Sequence, residues 1–281
     1  MTDRRILWTP TPERIADTSI ARFERWLEAE RGQTFADYGE MWDWSVTDLE
    51  GFWSAVWQFF DMPASVPPTT FLAKNQMPGA EWGPGAMLNY VDHLLRHADA
   101  RPDDVAVVVQ SETFERVSLT WAELRAQVAS VASHLADMGV GQGDRVVAIL
   151  PNTQTAVIAF LATASLGAIW SLCAPDMGHV AILDRFTQIE PKVLIAQDGY
   201  THAGKPVDRS AVIQQISEGL PSVTGRIMVP VAHTLPDGWI DFATLTDRAA
   251  TLESRQVPFE HPLWIVYSSG TTGNPKPIVH G

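Results

Sequence analysis

Arg145-Val146-Val147-Ala148-Ile149-Leu150 and, some twenty residues on, Ala168-Ile169-Trp170-Ser171-Leu172-Cys173 are two apolar, β-rich runs around a stretch from Thr153 to Leu166 that reads as a helix. No charged side chain occurs between Val146 and Pro175. Continuous apolar runs of this length suit strands buried on both faces, the condition of a parallel sheet. A membrane span over Ala156 to Ala174 is the competing reading, since about 20 apolar residues cross a bilayer. Pro151 and Asn152 break the run, Thr153, Gln154 and Thr155 are polar, and Gly167 divides the rest. The span is rejected for a buried helix, a glycine stop and a buried strand.

The same alternation extends in both directions. Val105 to Gln110 reads as a strand, with Phe114 to Leu119 as its hairpin partner. Thr120-Trp121-Ala122-Glu123 has the form of a capping box, the threonine accepting a backbone N–H and the glutamate reaching back. Trp121, Leu124, Val128, Val131, Leu135 and Met138 then recur by threes and fours, and Gly139 ends that helix. Downstream, Val180 to Gln188 and Ser210 to Glu218 read as helices. Lys192 to Ala196, Arg226 to Val231 and Leu263 to Tyr267 read as strands, the last of them closing the series. Strands alternating with helices predict an α/β fold: a mostly parallel sheet with helices on both faces.

The first 85 residues differ. Seven of the eleven tryptophans precede residue 83. Ile20, Phe23, Trp26 and Leu27 recur at helical spacing, as do Leu49, Phe52, Trp53, Val56, Trp57 and Phe60, with Asp48 or Thr47 as the cap. Residues 1–85 are therefore read as a helical, aromatic-rich N-terminal cap with a Pro-rich connector, and residues 86–281 as the α/β domain. Packing is preferred to a separate aromatic binding module as the role of these rings.

Composition narrows the function. Hydrophobic residues make up 46% and charged residues 19% of the 281 positions, a globular balance. Thirty-three acidic against twenty basic side chains give a net charge of −13. Nucleic-acid binding and polybasic membrane attachment are disfavoured, because both need a basic face. One cysteine, Cys173, excludes an intrachain disulfide framework and a cysteine zinc cluster. Without a signal-peptide core at the start, the expected location is the cytoplasm. Cys173 itself, in an apolar strand without a basic neighbour, reads as an inert thiol. His93 and His97 stand four apart on one expected helix, but no third ligand accompanies them and an exposed helix face is preferred. No metal ligand is assigned.

The chemistry concentrates in Tyr267-Ser268-Ser269-Gly270-Thr271-Thr272-Gly273-Asn274-Pro275-Lys276. It follows an apolar strand, so the loop leaves a carboxyl end, where ligands bind in open α/β sheets. Hydroxyls donate hydrogen bonds, glycines let backbone N–H groups turn inward, and Lys276 is a point charge; together they suit a polyphosphate. It is not a Walker A loop, since Lys276 lacks a preceding glycine and Pro277 follows it. A plain Gly/Ser/Thr connector would share this composition; the position after a strand and the Pro-Lys ending favour phosphate.

This segment resembles the phosphate-loop signature of the acyl-adenylate-forming (AMP-binding) superfamily of acyl-CoA synthetases, luciferases and peptide-synthetase adenylation domains. Pro277-Ile278-Val279-His280-Gly281 is similar to the acetyl- and acetoacetyl-CoA synthetase branch. Gly167 to Asp176, Leu183-Asp184-Arg185-Phe186 and Ile189-Glu190-Pro191-Lys192 resemble the acetoacetyl-CoA synthetase family, as do Trp44-Ser45-Val46 and Phe52-Trp53.

The resemblance implies an AMP-forming acid–thiol ligase using ATP with Mg2+, CoA and acetoacetate, through an acyl-adenylate; acetate or propionate is the runner-up acid. Ser268, Ser269, Thr271 and Thr272 would hold the β- and γ-phosphates, Gly270 and Gly273 would give the loop its freedom, and Lys276 would balance charge on departing pyrophosphate. Arg185 would meet a CoA phosphate, with a helix-surface ion pair as the equal alternative. The role of His280 is left open. In the family the adenine and ribose segments, the metal-binding acid, most of the acyl pocket and the mobile C-terminal domain lie beyond this loop. The expectation is thus a truncated N-terminal portion, inactive alone and partnered by a missing C-terminal polypeptide, or else a non-catalytic nucleotide-binding remnant. Apolar surface is expected where the rest would pack.

Overall fold

A computed structural model describes residues 6–112, 115–268 and 273–281. The chain divides into two compact units, residues 1–62 with 68–84, and residues 63–67 with 85–281.

The first unit contains α1 (Pro12–Ala16), α2 (Ser19–Arg31), α3 (Tyr38–Thr47) and α4 (Leu49–Phe59), then a short antiparallel pair, β1 (Leu72–Lys74) and β2 (Glu81–Trp82). Each helix has a side-chain cap: Thr11, Thr18, Asp37 and Asp48 accept backbone N–H groups of the first turns. These caps satisfy donors that the helices cannot pair internally. Phe23, Leu27, Met41 and Ala55 are buried, with Trp26, Phe35, Trp44, Phe52 and Phe59 packed on them. Phe23 and Phe59 lie 5.1 Å apart, and Phe52 meets Trp44 edge-on at 5.5 Å. These rings are the unit's core.

The second unit opens with β3 (Met87–Leu88), α5 (Tyr90–Leu95), α6 (His97–Ala100) and the antiparallel hairpin β4 (Val105–Val109) and β5 (Val117–Thr120). Phe114, placed in that hairpin by the sequence reading, lies outside the described residues. The single helix expected to carry His93 and His97 is two, parted at Arg96. His97 packs against Trp121 at 5.0 Å. Burial lowers the pKa of His93.

Then come α7 (Trp121–Asp137), β6 (Arg145–Ile149), α8 (Gln154–Ser165), β7 (Ile169–Cys173), α9 (His179–Phe186) and β8 (Val193–Gln197). They are followed by the hairpin β9 (Gly199–His202) and β10 (Lys205–Asp208), α10 (Ser210–Glu218), β11 (Gly225–Val229), β12 (Ile240–Asp241), β13 (Val257–Pro258), β14 (Trp264–Ser268) and β15 (Lys276–His280). The capping box on α7 forms as read, with both Thr120 and Glu123 engaged. Gly167, at φ +68°, turns the chain from α8 toward β7 in the left-handed region that a side chain disfavours.

Seven strands form the central sheet, in the order β12-β11-β8-β6-β7-β14-β15. All pairs are parallel except β14 with β15. Val146, Ala148, Trp170, Val193 and Ile195 pack with α7 and α8 on one face. Val147, Ile149, Leu194 and Ala196 pack with α9 and α10 on the other. Leu161, Ile158, Ile182 and Phe186 are among the largest fully buried side chains. The α/β reading thus holds, and the uncharged stretch is β6, α8 and β7. Among the described residues no helix is long and apolar enough to cross a membrane.

One expectation needs correction. Leu263 to Tyr267 is not the last strand: β15 folds back beside β14 as an antiparallel edge. Its proline, Pro277, is tolerated because an edge strand has one side free of the ladder. On the α8 side of this edge, Leu172, Trp264, Val266 and Ile278 remain 38–43% exposed.

Candidate functional site

The motif runs from the end of β14, which holds Tyr267 and Ser268, to the start of β15 at Lys276. Its register pairs Trp264 with His280, Ile265 with Val279, Val266 with Ile278, Tyr267 with Pro277 and Ser268 with Lys276. Ser268 and Lys276 therefore face each other at the base of residues 269–275. Because β14 runs parallel to β7, the turn leaves the carboxyl end of the sheet, as the sequence reading required. Ser269, Gly270, Thr271 and Thr272 lie outside the described residues. Gly273 is exposed with φ +148°, a backbone angle that L side chains rarely adopt.

Around this base the described side chains make a small set of long-range bonds. The Ser171 hydroxyl, buried in β7, donates to Ile265 O at 2.8 Å. The Tyr267 hydroxyl donates to Arg185 O at 2.9 Å. Burial raises the pKa of Tyr267 to about 12 from 10.0, since removing water disfavours the phenolate. Gln188, in the 3₁₀ turn Thr187–Ile189 after α9, donates from Nε2 to Pro275 O at 3.0 Å.

Arg185 lies beside the motif's first residue. Its guanidinium donates to Ala181 O at 2.6 Å and lies 5.7 Å from the Tyr267 ring centroid. No ion pair of Arg185 is formed with a described residue. A guanidinium over an aromatic face is held by the ring quadrupole. It also corrects the reading of Cys173: burial raises that thiol to about 11, while the nearby Arg185 charge acts in the opposite direction. Cys173 thus has a basic neighbour in space, though burial prevails and the thiol stays protonated at neutral pH.

Lys276 and His280 are exposed on β15. His280 contributes its backbone carbonyl, which accepts from Leu263 N at 2.7 Å. Among the described residues there is no group of three or more His, Cys, Asp or Glu side chains that could hold a metal ion. A cavity of about 350 Å³ sits elsewhere, between Gln127, Gln154, Thr155, Val229, Asp241 and Thr246. Sequence reasoning missed Ser171, Tyr267 as a hydrogen-bond donor, and Gln188. Their partners are remote in the chain, so only the sheet order could have revealed them.

Residues 94–281 match the AMP-binding enzyme family, and residues 38–94 match the acetyl-coenzyme A synthetase N-terminus. The chain belongs to the AMP-binding enzyme family. It is 38% identical over 292 aligned residues to the acetoacetyl-coenzyme A synthetase of Rhizobium meliloti (strain 1021), an alignment covering 100% of this chain and 44% of that protein. It is 37% identical to the acetoacetyl-CoA synthetase of Danio rerio, covering 99% of this chain and 43% of the relative. Among solved structures, acetoacetyl-CoA synthetase from Streptomyces lividans superposes with a TM-score of 0.95 at 46% identity. That match covers 98% of this chain and 43% of the other. The chain therefore spans less than half the length of the relatives it matches.

Proposed function

We propose that this chain is the N-terminal portion of an acetoacetate–CoA ligase. The observation that carries the reading is the β14–β15 hairpin, which sets Ser268 opposite Lys276 at the carboxyl end of the parallel sheet. The family match and the likeness of nearly the whole of this chain to part of acetoacetyl-CoA synthetases support it.

The reaction has two halves. An oxygen of acetoacetate attacks the α-phosphorus of MgATP and pyrophosphate leaves with its bonding electrons, giving acetoacetyl-adenylate. The CoA thiolate then attacks the acyl carbon, and AMP departs as acetoacetyl-CoA forms. AMP is a far better leaving group than oxide, which is the reason for the first half. A carboxylate is already ionised at neutral pH, so no side chain need remove a proton in the first step.

This portion supplies positioning and charge. The hydroxyls of Ser268, Ser269, Thr271 and Thr272 hold the β- and γ-phosphates by donated hydrogen bonds. Gly270 and Gly273 let the backbone follow those phosphates, and the Lys276 ammonium offsets charge gathering on the departing pyrophosphate. Magnesium enters with the nucleotide. The guanidinium N–H groups of Arg185 not committed to Ala181 O are assigned to a CoA phosphate. Residues 1–85 serve as a cap unit and residues 86–281 as the nucleotide-binding portion. The remaining polypeptide, of the kind present in the relatives, completes the acyl pocket.

The test is acetoacetate-dependent ATP–pyrophosphate exchange, run on the 281-residue chain and on the same chain supplemented with the C-terminal portion of a relative. Silence alone and exchange on supplementation are expected. Exchange driven by acetate but not acetoacetate would move the substrate to the shorter acids. MgATP binding without exchange under any supplementation would leave a non-catalytic nucleotide binder.

A further inference from the structure

We propose that Gln188 is a positioning residue for Lys276, holding the returning leg of the hairpin from outside the sheet. The claim rests on the phosphate-loop reading for its functional meaning, but its geometry stands apart from it.

The returning leg is short of backbone donors. Pro275 and Pro277 flank Lys276 and neither carries an N–H. Each also restricts the residue before it to extended backbone, which fixes Asn274 and Lys276 in shape but not in place. Pro277 stands opposite Tyr267 in the register and has no N–H to offer on its free side. Among the described residues β15 has no neighbour on its other side, and all five of its residues are exposed.

Gln188 supplies the missing anchor. Its Nε2 donates one hydrogen to Pro275 O at 3.0 Å and the other to Asp184 O at 2.5 Å. Pro275 O belongs to the same planar peptide unit as Lys276 N, so a bond to that oxygen orients the peptide from which Lys276 springs. The second bond roots the amide in the last turn of α9, at Asp184 O. The neighbouring carbonyls of that turn are taken by Thr187 Oγ1, on Leu183 O, and by the Tyr267 hydroxyl, on Arg185 O. Two side chains thus join the end of α9 to the hairpin: Tyr267 from its outgoing strand and Gln188 to its returning leg. The buried Phe186 and Ile182 seat α9 on the sheet, so the anchor is fixed to the core.

The experiment is hydrogen–deuterium exchange on the 281-residue chain, resolved over residues 273–281. Gln188→Met keeps the stem and removes the donor; Gln188→Glu keeps the shape and offers only acceptors at neutral pH. Both should speed exchange of the Lys276 and Ile278 amides by about three- to tenfold, the range one net hydrogen bond supports. β6 and β8 should be unchanged. Thr187→Val removes a bond on the same helix end without touching the hairpin, and should leave residues 273–281 as in the parent.

Unchanged exchange in both Gln188 variants, or an equal effect from Thr187→Val, overturns the proposal. MgATP titration separates it from the loop reading. Weaker binding in Lys276→Ala and, by about three- to tenfold, in Gln188→Met is expected where both hold. Unaltered binding in Lys276→Ala beside accelerated exchange in Gln188→Met would sink the phosphate reading and leave the anchor standing.

Discussion

The two flanks of the central sheet are built differently. On one side β6, β8 and β11 pair over four or five consecutive positions, and every residue of β8 is buried. On the other, β14 meets β7 at the single register pair Trp264 with Trp170, and β15 is exposed throughout. The motif hangs from the second flank. Apolar burial sets the first flank, whereas on the second the five-pair β14–β15 hairpin is tied to β7 and the end of α9 by individual side-chain bonds from Ser171, Tyr267 and Gln188. The most buried part of the sheet and the motif proposed to bind phosphate are thus separated across one sheet, and substitutions can test how far.

The largest effect is expected in the core. Ile195 lies in β8, fully buried among α7 and α8 residues. Ile195→Ala should cost about 2–5 kcal/mol, from lost transfer energy and the cavity left behind. Val266 in β14 is 43% exposed, and Val266→Ala should cost less than about 1 kcal/mol. Urea midpoints at constant slope measure both. Equal losses would show the edge to be as tightly packed as the centre, and the contrast between flanks would fall.

Ser171→Ala is next. Its hydroxyl is the bond from β7 to Ile265 O where the backbone pairing is sparse, and Ser171 is buried. Removing it leaves a buried carbonyl short of a donor, at a cost of about 1–3 kcal/mol. The sharper readout is local: amides of β14 and β15 should exchange faster while those of β8 do not. Uniform acceleration across the sheet would mean that the two flanks open together.

The same contrast governs what the sequence disclosed. Val146 to Leu150 and Lys192 to Ala196 are legible because strands buried on both faces must be apolar throughout. The Thr120–Glu123 box is legible because capping is a local exchange of donors. β15 escaped notice because Pro275 and Pro277 read as an end to structure, although proline is what an edge strand tolerates. The β9–β10 hairpin was missed for a related reason. Its two-residue turn holds Ala203 and Gly204 at φ +50° and +73°, and alanine gives no sign of that angle. The turn is held instead by Glu112, which accepts from both of its backbone N–H groups. Of the candidate site, the motif stands out in the sequence by the order of its residues, while Ser171, Tyr267 and Gln188 act on partners that only the strand order brings near.

The smallest effect at neutral pH, and the most specific, belongs to Tyr267→Phe. The hydroxyl donates to Arg185 O, so its loss should cost about 1 kcal/mol at pH 7. Above neutrality the phenol adds a second signature. Its pKa is about 12 in the folded chain against 10.0 for an ordinary tyrosine. Between those values the unfolded chain has released the proton and the folded chain has kept it, so stability falls as pH rises. The contribution is fully present below about pH 10 and is lost by about pH 12. Cys173, raised from 9.0 to about 11, acts in the same sense over a lower window. Thermal midpoints from pH 8 to 12 should therefore fall steeply in the parent and less steeply in Tyr267→Phe above pH 10, with Cys173→Ala flattening the earlier part. Identical alkaline slopes in parent and Tyr267→Phe would mean that the phenol is hydrated in the folded chain, and that β14 is looser against α9 than its hydrogen bond to Arg185 implies.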